Sequence, residues 1–385
     1  MAEFRWLEQA LGISLILLIL LDVFVTVLYA RVGSGIISNR FAHLVARLFS
    51  LISRPFSPRR RATILSFSGP AIVVMGLGLW VFVLTCGTAL VIHPKLGTSI
   101  RGTSGKTPTD FVSALYAGGS SLAIVGSSDF TPQTPLSRLY FLFNSLAGAS
   151  VLTLTLTYLM QIYTALRDRN ALGLNLFLLT RRTGDAAELI AGLGPHGDFS
   201  PGYTIVVEIA TGMTNAKESH HFYPVLFYFR FPEPYYSVSM STLIALDTVT
   251  LLRSAVDDER NGWLKHSAAV SQLWDASVYL VKILEATFLP GSLSSDSPPA
   301  DAVVVARWKA RYYAAVQRLR RAEIPTISDE DAGAELYVSL RSRWHGHVER
   351  LAPALAYTME EIDPAGTNPR AIPTPSDQED FRRAA

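Results

Sequence analysis

Three uninterrupted apolar runs, at 11–30, 66–92 and 139–166, constrain this chain more than any other feature. Each is long enough to cross the hydrocarbon core of a bilayer, which takes about 20 mostly apolar helical residues. The first run does not fit a secretory leader. It exceeds the roughly 7–15 apolar residues of such a segment, and Glu3 and Glu8 spoil the basic flank that a leader carries.

Charge is distributed unevenly. The chain is 17% charged, below the quarter or so usual for soluble domains, and the deficit lies in the first 167 residues. An N-terminal membrane domain followed by a soluble domain is therefore expected. A net charge of +2 gives no reason to expect a nucleic-acid partner. The one cysteine, Cys86, lies inside the second run and excludes an intrachain disulfide.

Basic residues set the orientation. Arg31, Arg40, Arg47, Arg54, Arg59, Arg60 and Arg61 separate the first two runs with no acidic residue among them, and Arg167, Arg169, Arg181 and Arg182 follow the third. Both clusters are expected on the cytoplasmic side. That places the N-terminus and the 94–136 region outside the cell or plasma membrane and the C-terminal domain inside. Within the first loop, 36–52 spaces Phe41, Leu44, Val45, Leu48 and Phe49 against Arg40 and Arg47. This pattern suits a helix on the inner membrane surface or one packed on the C-terminal domain. Asp22, inside the first run, is expected to face protein or the inner interface, because an unpaired carboxylate in lipid is costly.

Between the second and third runs lies "TPTDFVSALYAGGSSLAIVGSSDFTPQTPLSR", 107–138. Residues 109–122 are too short and too polar to span, and Pro108 suits a helix start. The expected form is a short re-entrant helix followed by non-helical backbone, which is tolerated at membrane depth only when buried in protein or lining a water-filled path.

This segment resembles the pore of the two-transmembrane potassium channel family, whose filter reads TVGYGD. Val125, Gly126 and Asp129 match that filter, Pro132, Thr134 and Arg138 match the outer-mouth pattern, and Gly148 falls where the family has its gating-hinge glycine. The resemblance covers 66–166 and implies an all-α membrane protein: outer helix, re-entrant pore helix and filter, and inner helix. One extra transmembrane helix would precede this pore domain and a mainly helical cytoplasmic domain would follow. It also implies a homotetramer, with rings of backbone carbonyls coordinating potassium. The expected divisions are 1–61 for the first helix and basic linker, 62–167 for the pore domain, 168–362 for the helical domain and 363–385 for a disordered tail.

The departures from the family fall in the filter itself. Ile124 removes a coordinating hydroxyl. Ser128 stands where a glycine takes positive φ, at a cost of about 1–2 kcal/mol for an L-residue. Ser127 replaces a bracing tyrosine, and the pore-helix positions that would receive it are Tyr116 and Ala117. The expected function is a channel for potassium or other monovalent cations through Ile124, Val125, Gly126, Ser127 and Ser128, with Asp129 at the mouth. The alternative is a non-conducting membrane scaffold or sensor that retains the pore fold. Lipid, monovalent cations and further copies of the chain are the expected partners. No enzyme activity, metal site or cofactor is expected, since no nucleophile–base or metal constellation stands out. No spanning run carries a voltage-sensor arginine repeat.

Beyond 167, apolar spacing predicts helices at 186–191, 238–256, 263–288, 301–322 and 329–361, with a Pro/Ser-rich break at 289–300. "GLGPHG", 192–197, matches GxGxxG, yet a dinucleotide loop needs a strand before it and a helix after it. "AAELIA" reads as helix, so a turn is expected. Residues 203–209 and 225–231 allow a strand pair or an extended loop. The aromatic, proline-containing stretch 219–237 reads as a buried connector, or as a piece that docks under the inner pore helix and relays gating. His220, His221, His345 and His347 lack metal-ligand spacing, and pH sensing by their imidazoles is left open.

Overall fold

The computed structural model describes residues 5–29, 35, 37–123, 129–289, 291 and 301–364. The expected filter residues Ile124, Val125, Gly126, Ser127 and Ser128, and the expected tail from 365, lie outside the described residues. In chain order the first elements are α1 (Arg5–Val23), ending in a π-helical turn Phe24–Leu28, α2 (Ser38–Ser53), α3 (Pro58–Ser66), α4 (Ser68–Ile92), β1 (Ile100–Gly102), α5 (Phe111–Leu122), β2 (Phe130–Pro132) and α6 (Pro135–Leu179). Three helical stretches are long and apolar enough to cross a membrane: Arg5–Leu28, Arg60–Lys95 and Pro135–Leu179. They contain the second and third apolar runs and residues 11–28 of the first, and make the chain an integral membrane protein in character. It is all-α except for the short β1–β2 ribbon among the described residues.

The chain divides into two compact units, one of Met1–Leu51 with Gly69–Tyr163, the other of Ile52–Ser68 with Thr164–Ala385. The sequence placed a boundary at 167, and α6 runs through that position to Leu179. The run Arg167 to Leu179 holds no proline and five leucines, which sustain the helix despite Gly173.

In the first unit, α1 and α4 cross where both carry glycine. A Cβ on Gly12 would lie 2.5 Å from the Gly87 carbonyl oxygen, so only small residues permit this approach. Around the crossing, Ile16, Ile19 and Val23 pack with Trp80, Leu84 and Val91. The outward faces remain apolar: Val74 and Phe82 of α4 are about two-thirds exposed, as a lipid-facing surface requires.

The second unit continues with α7 (Ala186–Leu193), α8 (Tyr203–Phe222), α9 (Val238–Ala255), α10 (Asp258–Lys265), α11 (Ala268–Phe288), α12 (Ala302–Arg321), α13 (Glu330–Ser342), α14 (His345–Ala354) and α15 (Met359–Ile362). Every residue of α9 except Arg253 is buried. It forms the axis against which α7, α11, α12, α13 and α14 pack. Three of its hydroxyls are satisfied within the helix: Thr248, Thr250 and Ser254 donate to carbonyls one turn back.

The strand reading of 203–209 is overturned. The β-branched run "TIVVEI" belongs to α8, whose buried positions Val206, Ile209, Ala210, Met213, Ala216 and His220 repeat at helical spacing. Tertiary packing on α11 overrides local strand preference. Residues Pro224–Tyr228 form a tight helical turn rather than a strand. The predicted helix 263–288 is interrupted where Ser267 caps α11, and 329–361 breaks into α13, α14 and α15 around Trp344. "GLGPHG" is the end of a helix and a turn, with His196 at φ 57°.

Asp363, the first residue of the expected tail, is buried and bound to two arginines, so the helical domain runs past 362. Asp247 of α9 and Asp363 together face Arg311 and Arg341. Arg341 lies 2.7 Å from Asp247 and 3.0 Å from Asp363. Arg311 lies 2.8 Å from Asp247 and 2.5 Å from Asp363. Each buried charge therefore meets two of opposite sign.

Buried histidines are expected to make this domain acid-sensitive. Burial, reinforced by Arg169 for His220 and by Arg341 for His345, pushes both imidazoles from 6.5 down to about 3. That shift keeps both imidazoles neutral in the folded chain near neutral pH. Burial alone would raise the Asp363 carboxyl, but Arg311 and Arg341 hold it down at about 2. Between pH 6.5 and 3 the unfolded chain binds the extra histidine protons, and between 3.8 and 2 it binds the extra carboxyl proton. Stability is thus present at higher pH and lost as pH falls. We expect the denaturation free energy of the helical domain to drop by up to about 2.7 kcal/mol per pH unit below about pH 6, two protons at about 1.36 each. Denaturant midpoints of the full chain at pH 7, 6 and 5, read by tryptophan fluorescence, check this; equal midpoints would show that both histidines are hydrated.

Candidate functional site

The expected re-entrant helix corresponds to α5. Asp110 caps α5, accepting from the Ser113 backbone at 2.9 Å and from its hydroxyl at 2.7 Å. The buried face of α5 is made of small residues, Ala114, Ala117, Gly118 and Ser121, which let the helix lie close to its neighbours. A Cβ on Gly118 would stand 3.1 Å from the Ala89 backbone nitrogen of α4. Phe111 to Ser128 contains no charged side chain, and Asp110 and Asp129 bracket it.

The C-terminal end of α5 is fastened to α6. The Asn144 amide donates to the Ser121 hydroxyl at 3.1 Å, and the Ser145 hydroxyl donates to the Ser121 carbonyl at 2.9 Å. Gly148 lies one turn on, where a Cβ would come within 2.0 Å of the Leu122 carbonyl oxygen. The position that the resemblance makes a hinge is therefore a point of close backbone approach between α5 and α6. Asn144 and Ser145 were not singled out from sequence, although a buried asparagine in an apolar run is a usable signal.

The far side is fastened by the ribbon. Ile100, Arg101 and Gly102 pair antiparallel with Pro132, Thr131 and Phe130. The Asp129 carbonyl accepts from the Thr103 backbone at 2.7 Å and from its hydroxyl at 3.2 Å. Asp129 itself is exposed. Tyr116 meets Phe130 edge-on with ring centroids 6.3 Å apart. An aromatic contact thus joins α5 to the strand beyond the loop, while Ala117 is buried against the core. Residues 124–128 follow the C-terminal end of α5, the negative end of its dipole, which favours cations.

Asp22 is buried and satisfied. It accepts from Trp80 Nε1 and the Ile37 backbone, both at 2.8 Å, and from the Ser38 hydroxyl at 2.5 Å. The carboxylate therefore ties α1 and α4 to the start of α2, which resolves the expectation in favour of protein-facing. Asp22→Ala should cost about 1–3 kcal/mol by orphaning these donors. It should also speed tryptic cleavage at Arg40 and Arg47 in the detergent-solubilised chain. Unchanged cleavage would mean that α2 is held by its apolar face alone.

In the second unit, the stretch 219–237 contacts the end of α6. Arg169 is buried and donates to the Leu226 and Phe229 carbonyls at 2.8 and 3.1 Å. One turn on, a Cβ on Gly173 would lie 2.4 Å from the Tyr235 carbonyl oxygen. Phe177 stacks on Tyr235 at 4.8 Å. The Tyr228 carbonyl accepts from the Ser68 hydroxyl at 3.0 Å, where α4 begins. His220 and His221 lie at the end of α8, and His345 and His347 on α14, where His347 pairs with Glu285 at 2.5 Å.

No family model matches this chain, and no solved structure matches it. It is similar to the uncharacterized membrane protein YdjJ of Bacillus subtilis (strain 168), 19% identical over 248 residues that cover 64% of this chain and 70% of that protein. That relative's name gives a place and no activity. Together with the three spanning helices, it makes this chain a membrane protein.

Proposed function

We propose that this chain is one subunit of a tetrameric cation channel, similar in plan to potassium channel pore domains. Potassium or other monovalent cations would pass the 124–128 loop, with Asp129 of each subunit at the outer mouth and the helical domain in the cytoplasm. The observation that supports this reading is the short uncharged helix α5 between two long apolar helices, capped by Asp110, fastened to α6 at Ser121 and flanked by the β1–β2 ribbon. A segment too short to span suits membrane depth only where it lines a path or packs in protein. Rings of carboxylates and carbonyls are cation-favouring devices.

The test is the reversal potential of purified protein in a planar bilayer, potassium on one side and sodium on the other. Cation currents are expected, and the triple change Ile124→Thr, Ser127→Tyr, Ser128→Gly is expected to move reversal toward the potassium value. Silence of both the native and the filter-restored protein would instead favour the non-conducting scaffold.

A further inference from the structure

Between α12, α13, α14 and α15 lies a cavity of about 260 Å³. Trp308, Arg341 and His345 line it and are buried, whereas Arg307, Glu349 and Glu360 at its margin are exposed. Two of the buried groups are incompletely used. Arg341 gives its terminal nitrogens to Asp247 and Asp363 and packs its guanidinium on Trp344 and Trp308, 4.9 and 5.6 Å from the ring centres. Its Nε and the Nδ1 of His345 have no hydrogen-bond partner. Buried polar atoms nearly always have one, and an absent ligand is a direct way to supply it.

The arrangement of charge narrows the ligand. An unpaired Arg341 Nε–H and the Arg307 guanidinium suit a carboxylate, which takes donors in fork geometry. The carboxylates of Glu349 and Glu360 suit an ammonium group and disfavour a plain anion. Trp308 offers an apolar wall between the two ends. The volume is just below the range of about 300–1,000 Å³ for drug-sized ligands, so the molecule is compact.

We propose that this cavity binds a compact zwitterion of the amino-acid class, and that its occupancy is passed to α6. The second clause rests on the channel reading, and the first does not. The path is short. Met359 and Glu360 of the cavity lining belong to α15, and Tyr357 precedes that helix by two residues. The Tyr357 hydroxyl donates to the Phe231 carbonyl at 2.8 Å and accepts from its backbone N–H at 3.2 Å, and Arg230 lies 4.5 Å from its ring centre. Phe231 belongs to the strap that holds Arg169, Gly173 and Phe177 on one face of α6. A ligand that shifts α15 therefore shifts what grips α6.

The experiment is calorimetric titration of the full chain in detergent with each of the common L-amino acids, and with acetate and methylammonium as the two halves. Saturable binding of at least one amino acid is expected, with neither half binding alone. Arg307→Gln and Glu349→Gln, both at exposed positions that the fold does not need, should each weaken it about tenfold or more. Hydrogen exchange of 226–236 should slow in the bound state. No amino acid binding, or binding indifferent to both variants, overturns the site. Binding with exchange in the strap unchanged overturns the transmission. Neither readout needs a current, so a silent pore would not be mistaken for an empty site.

Discussion

Asp247→Ala is expected to destabilise the helical domain by about 3–5 kcal/mol, the cost of breaking a buried ion pair from one side. Asp247 is fully buried at the middle of α9 and accepts from Arg341 and the Tyr337 hydroxyl, both at 2.7 Å, and from Arg311 Nε at 3.1 Å. Without it, two guanidiniums share the single Asp363 carboxylate, and one positive charge stays uncompensated in a dry interior. Asp247→Asn keeps an acceptor for Tyr337 but not the charge, so it should lose less than alanine and more than a surface change. Denaturant unfolding of the full chain, read by near-UV dichroism, measures this, because Trp308 and Trp344 pack on Arg341. A loss below about 1 kcal/mol would mean that water enters the cluster and screens it.

Gly148→Ala should prevent the first unit from assembling, in contrast to the modest effect of alanine at an ordinary helix position, where it is the better helix former. The added methyl would stand 2.0 Å from the Leu122 carbonyl oxygen, and that neighbour is backbone rather than a flexible side chain. Either α5 or α6 has to move, which also breaks the Asn144 and Ser145 bonds to Ser121. Overpacking alone costs about 1–3 kcal/mol, and the lost bonds add to it. The expected result is a large fall in folded protein recovered from membranes. A pure hinge role predicts normal recovery with altered opening, so yield and thermal midpoint in detergent separate the two roles. Gly76, with open space around its Cβ position, is the control.

What was legible in the sequence follows from the range of the forces involved. The spanning helices were readable because lipid imposes one rule on every residue of a run. The short helix between the second and third runs was readable from Pro108 and from 109–122 being too short and too polar to span, whereas its cap, Asp110, was not singled out. Residues 203–209 misled because β-branched residues prefer strands locally, while the choice was made by packing on α11. Asp22 was legible as a buried charge, but its partners Ser38 and Trp80 lie 16 and 58 residues away, and no local pattern announces them. The Asp247 cluster was missed for the same reason, since Arg311 and Arg341 come from helices 64 and 94 residues downstream. Asp363 escaped because it sits in a polar, proline-containing context that resembles a tail.

The ribbon and the Ser121 contacts hold α5 and the strand after it from separate sides. Among the described residues, the hydrogen bonds that do so lie at Asp110, Ser121, Thr103 and the β1–β2 pairs. These contacts come from stretches well apart in the sequence, on the α4–α5 connection, α5 and α6, so the loss of one leaves the others to hold α5 in place. Under the proposed channel reading, that redundancy would let the segment's frame outlast changes at any single fastening point.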